Sequence, residues 1–283
     1  MTVLEAIRKS ADFLGKKNVE SPRLQVELLL AHLLKMPRMK LYLNFERALS
    51  PAEINSLREL VKRRGRREPL QHITGATSFC GYEIVVNRHA LVPRPETELL
   101  AELGWQFLST FNPQPSTALD FGTGTGCITI ALAAKCPNAK IIATDISADA
   151  LALAREIAAK NNLAGRIEFL HGDGFAALPA GSKFDLIISN PPYVPSAEIE
   201  TLQPEVRDFD PRMALDGGAD GLDFYRKLAA EAKPFLKPDG KIMLEFGDGQ
   251  AAAIRKIFEN EKWIVEAIKD DYSQRERILI ARQ

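Results

Sequence analysis

From Thr117 onward the chain alternates short apolar runs with segments of helical periodicity, and no other feature limits its fold so tightly. Such alternation builds a parallel sheet with helices on both faces. The spacing predicts strands at 117–120, 140–145, 166–170, 184–189 and 241–246. Helices are expected at 126–135, 147–161, 222–235 and 251–260, with Ser147 as an N-cap and Pro238-Asp239-Gly240 as a turn. Residues 263–268 and 277–281 have no helix between them, so they should pair antiparallel. Open sheets of this class bind ligands at the carboxyl ends of their strands. The residues that end each strand are where chemistry should be sought.

One such end is abrupt. The apolar run Leu186-Ile187-Ile188-Ser189 meets Asn190-Pro191-Pro192-Tyr193. Two prolines forbid both helix and further strand pairing, so they fix the Asn190 side chain and the nearby carbonyls in direction. An amide or aromatic amine is a poor nucleophile, because its lone pair is delocalised, and it carries two N–H donors. An Asn side-chain oxygen and a backbone carbonyl can accept both. The Tyr193 ring can stack on the planar group that bears the nitrogen. The tetrapeptide reads as a clamp for a planar –NH2. A plain strand-ending turn is the competing reading.

The earlier strand ends supply a nucleoside site. Asp120-Phe121 leads into Gly122-Thr123-Gly124-Thr125-Gly126, glycines at every second position that let the backbone approach a ligand. The next strand ends in Asp145, 19 residues after Gly126, where an acid can take both hydroxyls of a ribose. The third ends in Gly172-Asp173-Gly174-Phe175, with Asp173 to accept from an adenine amino group and Phe175 to lie against the ring. A dinucleotide loop has the spacing G-x-G-x-x-G. The spacing here is G-x-G-x-G, which suits S-adenosylmethionine, a cofactor without a pyrophosphate. Acid, acid and clamp at successive strand ends point to a methyltransferase.

The front of the chain is different. Short helices are expected in the first ~70 residues, from the capping pattern of Thr2 and Glu5, from Ser21-Pro22 and from Ser50-Pro51-Ala52-Glu53. The apolar stripes are Leu4, Ile7 and Ala11, then Leu24, Leu28 and Ala31, then Ile54, Leu57 and Val61. Residues 69–92 read as a β-hairpin connector, followed by a helix start at Leu91 to Leu100 in which Arg94 and Glu96 are either helix-start groups or cleft residues. Residues 193–221 read as a loop over the site. Residues 1–92 hold 16 Lys and Arg against 9 Asp and Glu, and the remainder holds 21 against 28. The basic front half, and Lys62 to Arg67 above all, suggests an anionic partner or a solvated helix face. Three cysteines and four histidines have no metal spacing, so no metal is expected, and no apolar run is long enough for a membrane span. A reducing, cytoplasmic setting fits.

With these residues in view, the chain resembles the release-factor glutamine methyltransferases, the HemK or PrmC family. The likeness covers nearly the whole chain. It is carried by Pro69 to Gly75, Leu91 to Glu98, Asp120 to Gly126, Asn190 to Tyr193, Phe209-Asp210-Pro211-Arg212, Asp220-Gly221-Leu222 and Leu244-Glu245-Phe246-Gly247. It implies a class I S-adenosylmethionine-dependent methyltransferase fold, α/β with a Rossmann-like seven-stranded sheet. A helical N-terminal domain (1–70) for substrate recognition and a hairpin linker (71–92) would precede the catalytic domain (93–283). It implies Gly122 to Gly126, Asp145, Asp173 to Phe175 and Asn190 as cofactor contacts. Asn190, Pro191, Pro192 and Tyr193 would hold a glutamine side chain, with Asn190, Pro191 and Tyr193 catalytic. The implied partners are bacterial class 1 peptide release factors, methylated at the Gly-Gly-Gln glutamine by a monomer that needs no nucleic acid. Where some members carry an aromatic residue, this chain has Gly174. Two rival readings stand beside this one: methylation of an exocyclic base amine in DNA or RNA, with the basic front half on phosphates, and a non-catalytic S-adenosylmethionine-binding module.

Overall fold

A computed structural model describes all 283 residues. The chain divides into two units, residues 1–76 with 203–209, and residues 77–202 with 210–283. A division into consecutive stretches does not accommodate residues 203–209, which leave the sequence of the second unit and pack with the first.

The first unit is helical. α1 (Val3–Gly15) and α4 (Pro51–Gly65) both begin with complete capping boxes, Thr2 with Glu5 and Ser50 with Glu53. Between them lie α2 (Pro22–Leu33) and α3 (Arg38–Tyr42), and α5 (Leu70–Thr74) follows. Val3, Ile7, Leu14, Leu29, Leu30 and Leu57 form the core. Two local expectations fail in α2. Ser21 sits in the left-handed region at φ 46° and makes no side-chain cap, so Pro22 alone starts the helix. The buried face carries Val26, Leu29 and Leu30, while Leu24 is 42% exposed. α2 is apolar over most of its circumference, so periodicity alone could not choose its inner face.

The second unit is built on a seven-stranded sheet. β1 (Ala76–Phe79) and β2 (Tyr82–Val85) first make a separate hairpin through Cys80 and Gly81. α6 (Pro95–Ser109) leads to β3 (Thr117–Phe121), α7 (Cys127–Lys135), β4 (Lys140–Asp145), α8 (Ala148–Lys160), β5 (Ile167–His171) and β6 (Phe184–Ser189). After the short α9 (Pro204–Arg207) come α10 (Asp223–Glu231), β7 (Leu236–Glu245), α11 (Ala251–Asn260), β8 (Ile264–Asp270) and β9 (Glu276–Arg282). The strand order is β5-β4-β3-β6-β7-β9-β8. β9 runs antiparallel to both its neighbours, and its pairing with β8 is the one the missing helix implied. Pro238-Asp239-Gly240 is not a turn before β7 but part of it, absorbed by a register shift between Phe184 and Leu186 of β6.

Each central strand is buried on both faces. Ala118, Ile141, Leu186 and Ile188 join one core under α6, α7 and α8, while Leu119, Ile142 and Ile187 join the other under α10 and α11. This is why these strands read as continuous apolar runs. β3 and β6 are neighbours although β4 and β5 lie between them in sequence. The chain reverses its direction across the sheet at that point, which opens a crevice at the strands' carboxyl ends.

Candidate active site

The crevice is lined by residues from successive strand ends, among them Gly122 to Thr125, Asp145, Asp173, Gly174, Asn190 and Pro192. In the glycine loop, Gly122, Gly124 and Gly126 take φ of +74°, +56° and +77°. Four of its five amides are already engaged. Gly122 and Thr123 N–H both donate to the Thr144 carbonyl, Gly124 N–H donates to Asp145 Oδ2 at 2.8 Å and Gly126 N–H to the Thr123 carbonyl. A pyrophosphate would find those donors spent, so the loop is not a phosphate cradle. Asp145 Oδ1 accepts from Ser147 N–H at 2.8 Å. The carboxylate is thereby held rigid, and each oxygen keeps a lone pair for a ligand hydroxyl.

Behind the loop, Asp120 is fully enclosed. Its Oδ2 accepts from the Thr123 and Thr129 hydroxyls at 2.7 and 2.5 Å, and its Oδ1 is buried without a partner. Burial pushes its pKa up to about 6 against these hydroxyl donors. It braces the glycine loop rather than facing the crevice.

The third strand end departs from expectation. Asp173 lines the crevice, with Oδ1 paired to Lys227 at 2.6 Å. Phe175 does not line it. Its ring is 6% exposed, stacked on Phe235 at 4.6 Å and tilted against Phe121 at 5.0 Å. It is core, so stacking on adenine by Phe175 is not what this structure provides. The phenyl rings that do line the crevice are Phe121 and Phe224, and Phe121 occupies the space a side chain on Gly174 would need. Gly174 also has φ +55°. We expect Gly174→Ala to lower stability by about 2 kcal/mol, the cost of overpacking with a strained backbone. Phe121→Leu in the same chain should return much of it. A melting-temperature cycle over the two single variants and the double checks this, and additive losses would contradict it.

Apolar cover comes from residues the sequence reading passed over. Ile146, directly after Asp145, is 55% exposed beside the crevice, and Met213 is 55% exposed on the loop side. An exposed Ile at the end of a buried strand was the available signal. Of Arg94 and Glu96, Arg94 lines the crevice with Thr97. Arg94 Nη2 donates to Asp210 Oδ2 at 2.6 Å, and Val92 N–H donates to Asp210 Oδ1 at 3.3 Å. Burial raises the Asp210 carboxyl even so, against the Arg94 charge.

In the expected clamp, Asn190 is half-buried at the crevice and Pro191 is buried. Asn190 Nδ2 donates to Thr97 Oγ1 at 3.1 Å, which leaves Oδ1 as an acceptor. Tyr193 packs on the core outside the crevice lining, and its carbonyl accepts from Gln250 Nε2 at 2.9 Å. Burial, with Glu245 nearby, pushes the Tyr193 hydroxyl up to about 12, so it is neutral and no base. The following loop is pinned: Val194 N–H donates to the Leu215 carbonyl, Gly217 N–H to the Val194 carbonyl, and Ser196 Oγ to Asp216 Oδ1.

The basic cluster of the helical unit is largely spent on internal pairs. Lys62 meets Glu59 and Arg63 meets Glu68, while Glu205 accepts from Arg64 on Oε1 and from Arg67 on both oxygens, at 2.6 Å each. Arg66 stays exposed. This weakens its reading as a grip for an anionic partner. Glu205→Ala would strand Arg64, 5% exposed, without its carboxylate. A loss of about 2–3 kcal/mol is expected, because removing one partner leaves a buried charge unpaired. Urea unfolding checks it, and an unchanged midpoint would contradict it.

The PrmC N-terminal domain family matches residues 5–75, and the methyltransferase small domain family matches residues 104–204. The release factor glutamine methyltransferase of Geobacter sulfurreducens is 42% identical over 257 residues, covering 91% of this chain and 88% of its own. The chain belongs to the release factor glutamine methyltransferase family. The family's enzyme from Chlorobaculum tepidum is 38% identical over 275 residues, covering 95% of this chain and 93% of its own. A methyltransferase of solved structure from Pyrococcus furiosus shares the fold, with a TM-score of 0.54 at 24% identity over 78% of this chain and 97% of its own. Membership in this family brings S-adenosylmethionine as cofactor, and the crevice suits it. Four of the five loop amides are spent, Asp145 keeps a lone pair on each oxygen, and Ile146 and Phe121 offer apolar cover.

Proposed function

We propose that the chain methylates the side-chain amide nitrogen of the glutamine in the Gly-Gly-Gln motif of class 1 peptide release factors. One observation carries the reading: the Asn190 carboxamide is held at the crevice with its nitrogen turned away to Thr97 and its oxygen left to accept. Asn190 Oδ1 and the Pro191 carbonyl take the two N–H bonds of the glutamine amide, while Tyr193 supports the turn from the core side. Those two bonds favour the partial charge that builds on the nitrogen as it attacks. S-adenosylmethionine, when bound, supplies an electrophilic methyl. Asp145 holds the ribose hydroxyls, with Gly122 to Gly126 against the rest of that molecule and Asp173 near its adenine. No strong base is required before attack, since the nitrogen's proton can leave to water afterwards. Orientation is the principal catalytic contribution, and well-oriented groups gain roughly 7–11 kcal/mol.

The helical unit is proposed to recognise the release factor's body. Leu43 at 86% and Met39 at 66% exposure give it an apolar surface for that purpose. No helix is long and apolar enough to cross a membrane. Peptide mass spectrometry on an unmethylated class 1 release factor, incubated with the chain and S-adenosylmethionine, tests the proposal. One methyl on the Gly-Gly-Gln glutamine is expected. An unmodified peptide at full cofactor occupancy would overturn it.

A further inference from the structure

The Asn190 carboxamide can sit either way round. A carboxamide has nearly the same shape when flipped, yet only one orientation works. With Oδ1 toward the crevice it accepts from an incoming –NH2. With Nδ2 there instead, donor meets donor and the acceptor nitrogen is repelled. Something behind Asn190 must choose.

Two groups do face it from behind. Thr97 Oγ1, on the first turn of α6, accepts from Asn190 Nδ2 at 3.1 Å. Glu245 is the last residue of β7, and the register that pairs Ser189 with Leu244 brings Asn190 and Glu245 together at the next position. It is 1% exposed, and its carboxylate lies close enough to the Thr97 hydroxyl and the Asn190 amide to be influenced by both, with Oε2 itself unpartnered. Thr97 Oγ1 already accepts from Asn190, which leaves its own proton to turn toward the Glu245 carboxylate and an acceptor facing the amide. An ionised carboxylate has no proton to give. Behind the amide stand two acceptors and no donor, so Nδ2 must face them.

We infer that Glu245 and Thr97 are positioning residues that lock the Asn190 carboxamide with its oxygen toward the methyl acceptor. This rests on the proposed amide clamp and deepens it. A purely structural role fits Glu245 poorly. Its Oε2 is buried without a partner, a costly state for a carboxylate. The neighbouring cation, Arg277, spends Nη1 on the Phe246 carbonyl at 2.8 Å and lies 3.5 Å from Asp271. Around the carboxylate stand Arg277, Glu96, Tyr193 and Tyr225, the last donating to the Glu245 carbonyl at 2.8 Å. Burial dominates among these influences and pushes Glu245 up to about 7. Once protonated, Glu245 becomes a donor and the lock loosens.

The test uses the full chain, S-adenosylmethionine and an unmethylated class 1 release factor. Glu245→Gln supplies a side chain that can donate as well as accept, so both flips of Asn190 become populated. Its kcat should fall by about a hundredfold, the loss expected when a reacting group is misplaced by roughly 1 Å. Cofactor affinity by calorimetry should not change. Wild-type kcat should drop as pH falls through about 7, and that limb should vanish in Glu245→Gln. A carboxyl whose folded pKa is raised stabilises the fold below its ordinary pKa and loses that contribution as pH rises through about 7. At pH near 8, then, Glu245→Gln should melt no lower than wild type. Thr97→Val removes the other acceptor without touching a charge and should also lose turnover, with Thr97→Ser regaining it. Wild-type kcat and pH profile in both Glu245→Gln and Thr97→Val, with Asn190→Ala inactive, would overturn this inference and leave the clamp standing. A fully active Asn190→Ala would bring down the clamp itself.

Discussion

Asn190→Ala is expected to lower the rate of methyl transfer by roughly a thousandfold, the scale on which removing one preorganised hydrogen-bonding partner of a transition state acts. On the proposed clamp, the substitution removes the acceptor that orients the amide and favours charge on its nitrogen. It leaves the glycine loop and Asp145 untouched. Dissociation of S-adenosylmethionine, measured by calorimetry, should therefore stay close to wild type while single-turnover transfer collapses. The fold should survive, because Asn190 is half-buried and its prolines keep the backbone turn. Thr97 and Glu245 would lose one donor between them, a small change beside the loss of turnover. Equal losses of transfer and of cofactor affinity would instead place Asn190 in cofactor binding alone.

Asp145→Ala is expected to do the opposite. A carboxylate whose two oxygens each accept a backbone N–H and keep a lone pair is placed for two neighbouring hydroxyls. Hydrogen bonds to charged groups are worth about 1.5–3 kcal/mol each. Losing two should weaken S-adenosylmethionine binding by about a hundredfold or more, since each 1.4 kcal/mol is about tenfold. At saturating cofactor, part of the turnover should return. The Gly124 and Ser147 amides also lose their acceptor, so the loop should become less protected in hydrogen exchange. Unaltered affinity would remove Asp145 from the site.

Much of this was legible in the sequence because it is local. Continuous apolar runs mark strands buried on both faces, and the acids at 145 and 173 and the Asn-Pro-Pro-Tyr turn are read where each strand stops. What was not legible depends on partners far apart in the chain. Glu245 sits in the apolar stretch Ile242 to Phe246, where a lone carboxylate is itself a signal, but only the β6–β7 register brings it to Asn190. Thr97 joins them across 93 residues. Phe121 rather than Phe175 reaches the crevice because Gly174 leaves room for it, an exchange between two strand ends that neither segment reveals alone. The basic run at 62–67 looked free because its main partner, Glu205, lies 141 and 138 residues away from Arg64 and Arg67.

The central claim is that the acceptor is the amide of one glutamine in a protein. The most direct test is the initial rate of radiolabelled methyl transfer from S-adenosylmethionine to four acceptors in parallel. These are an unmethylated class 1 release factor, its Gly-Gly-Gln to Gly-Gly-Ala variant, bulk DNA and bulk RNA. Label on the unaltered release factor alone is the predicted result. Label on the Gly-Gly-Ala variant, or on nucleic acid in preference to the release factor, would contradict it.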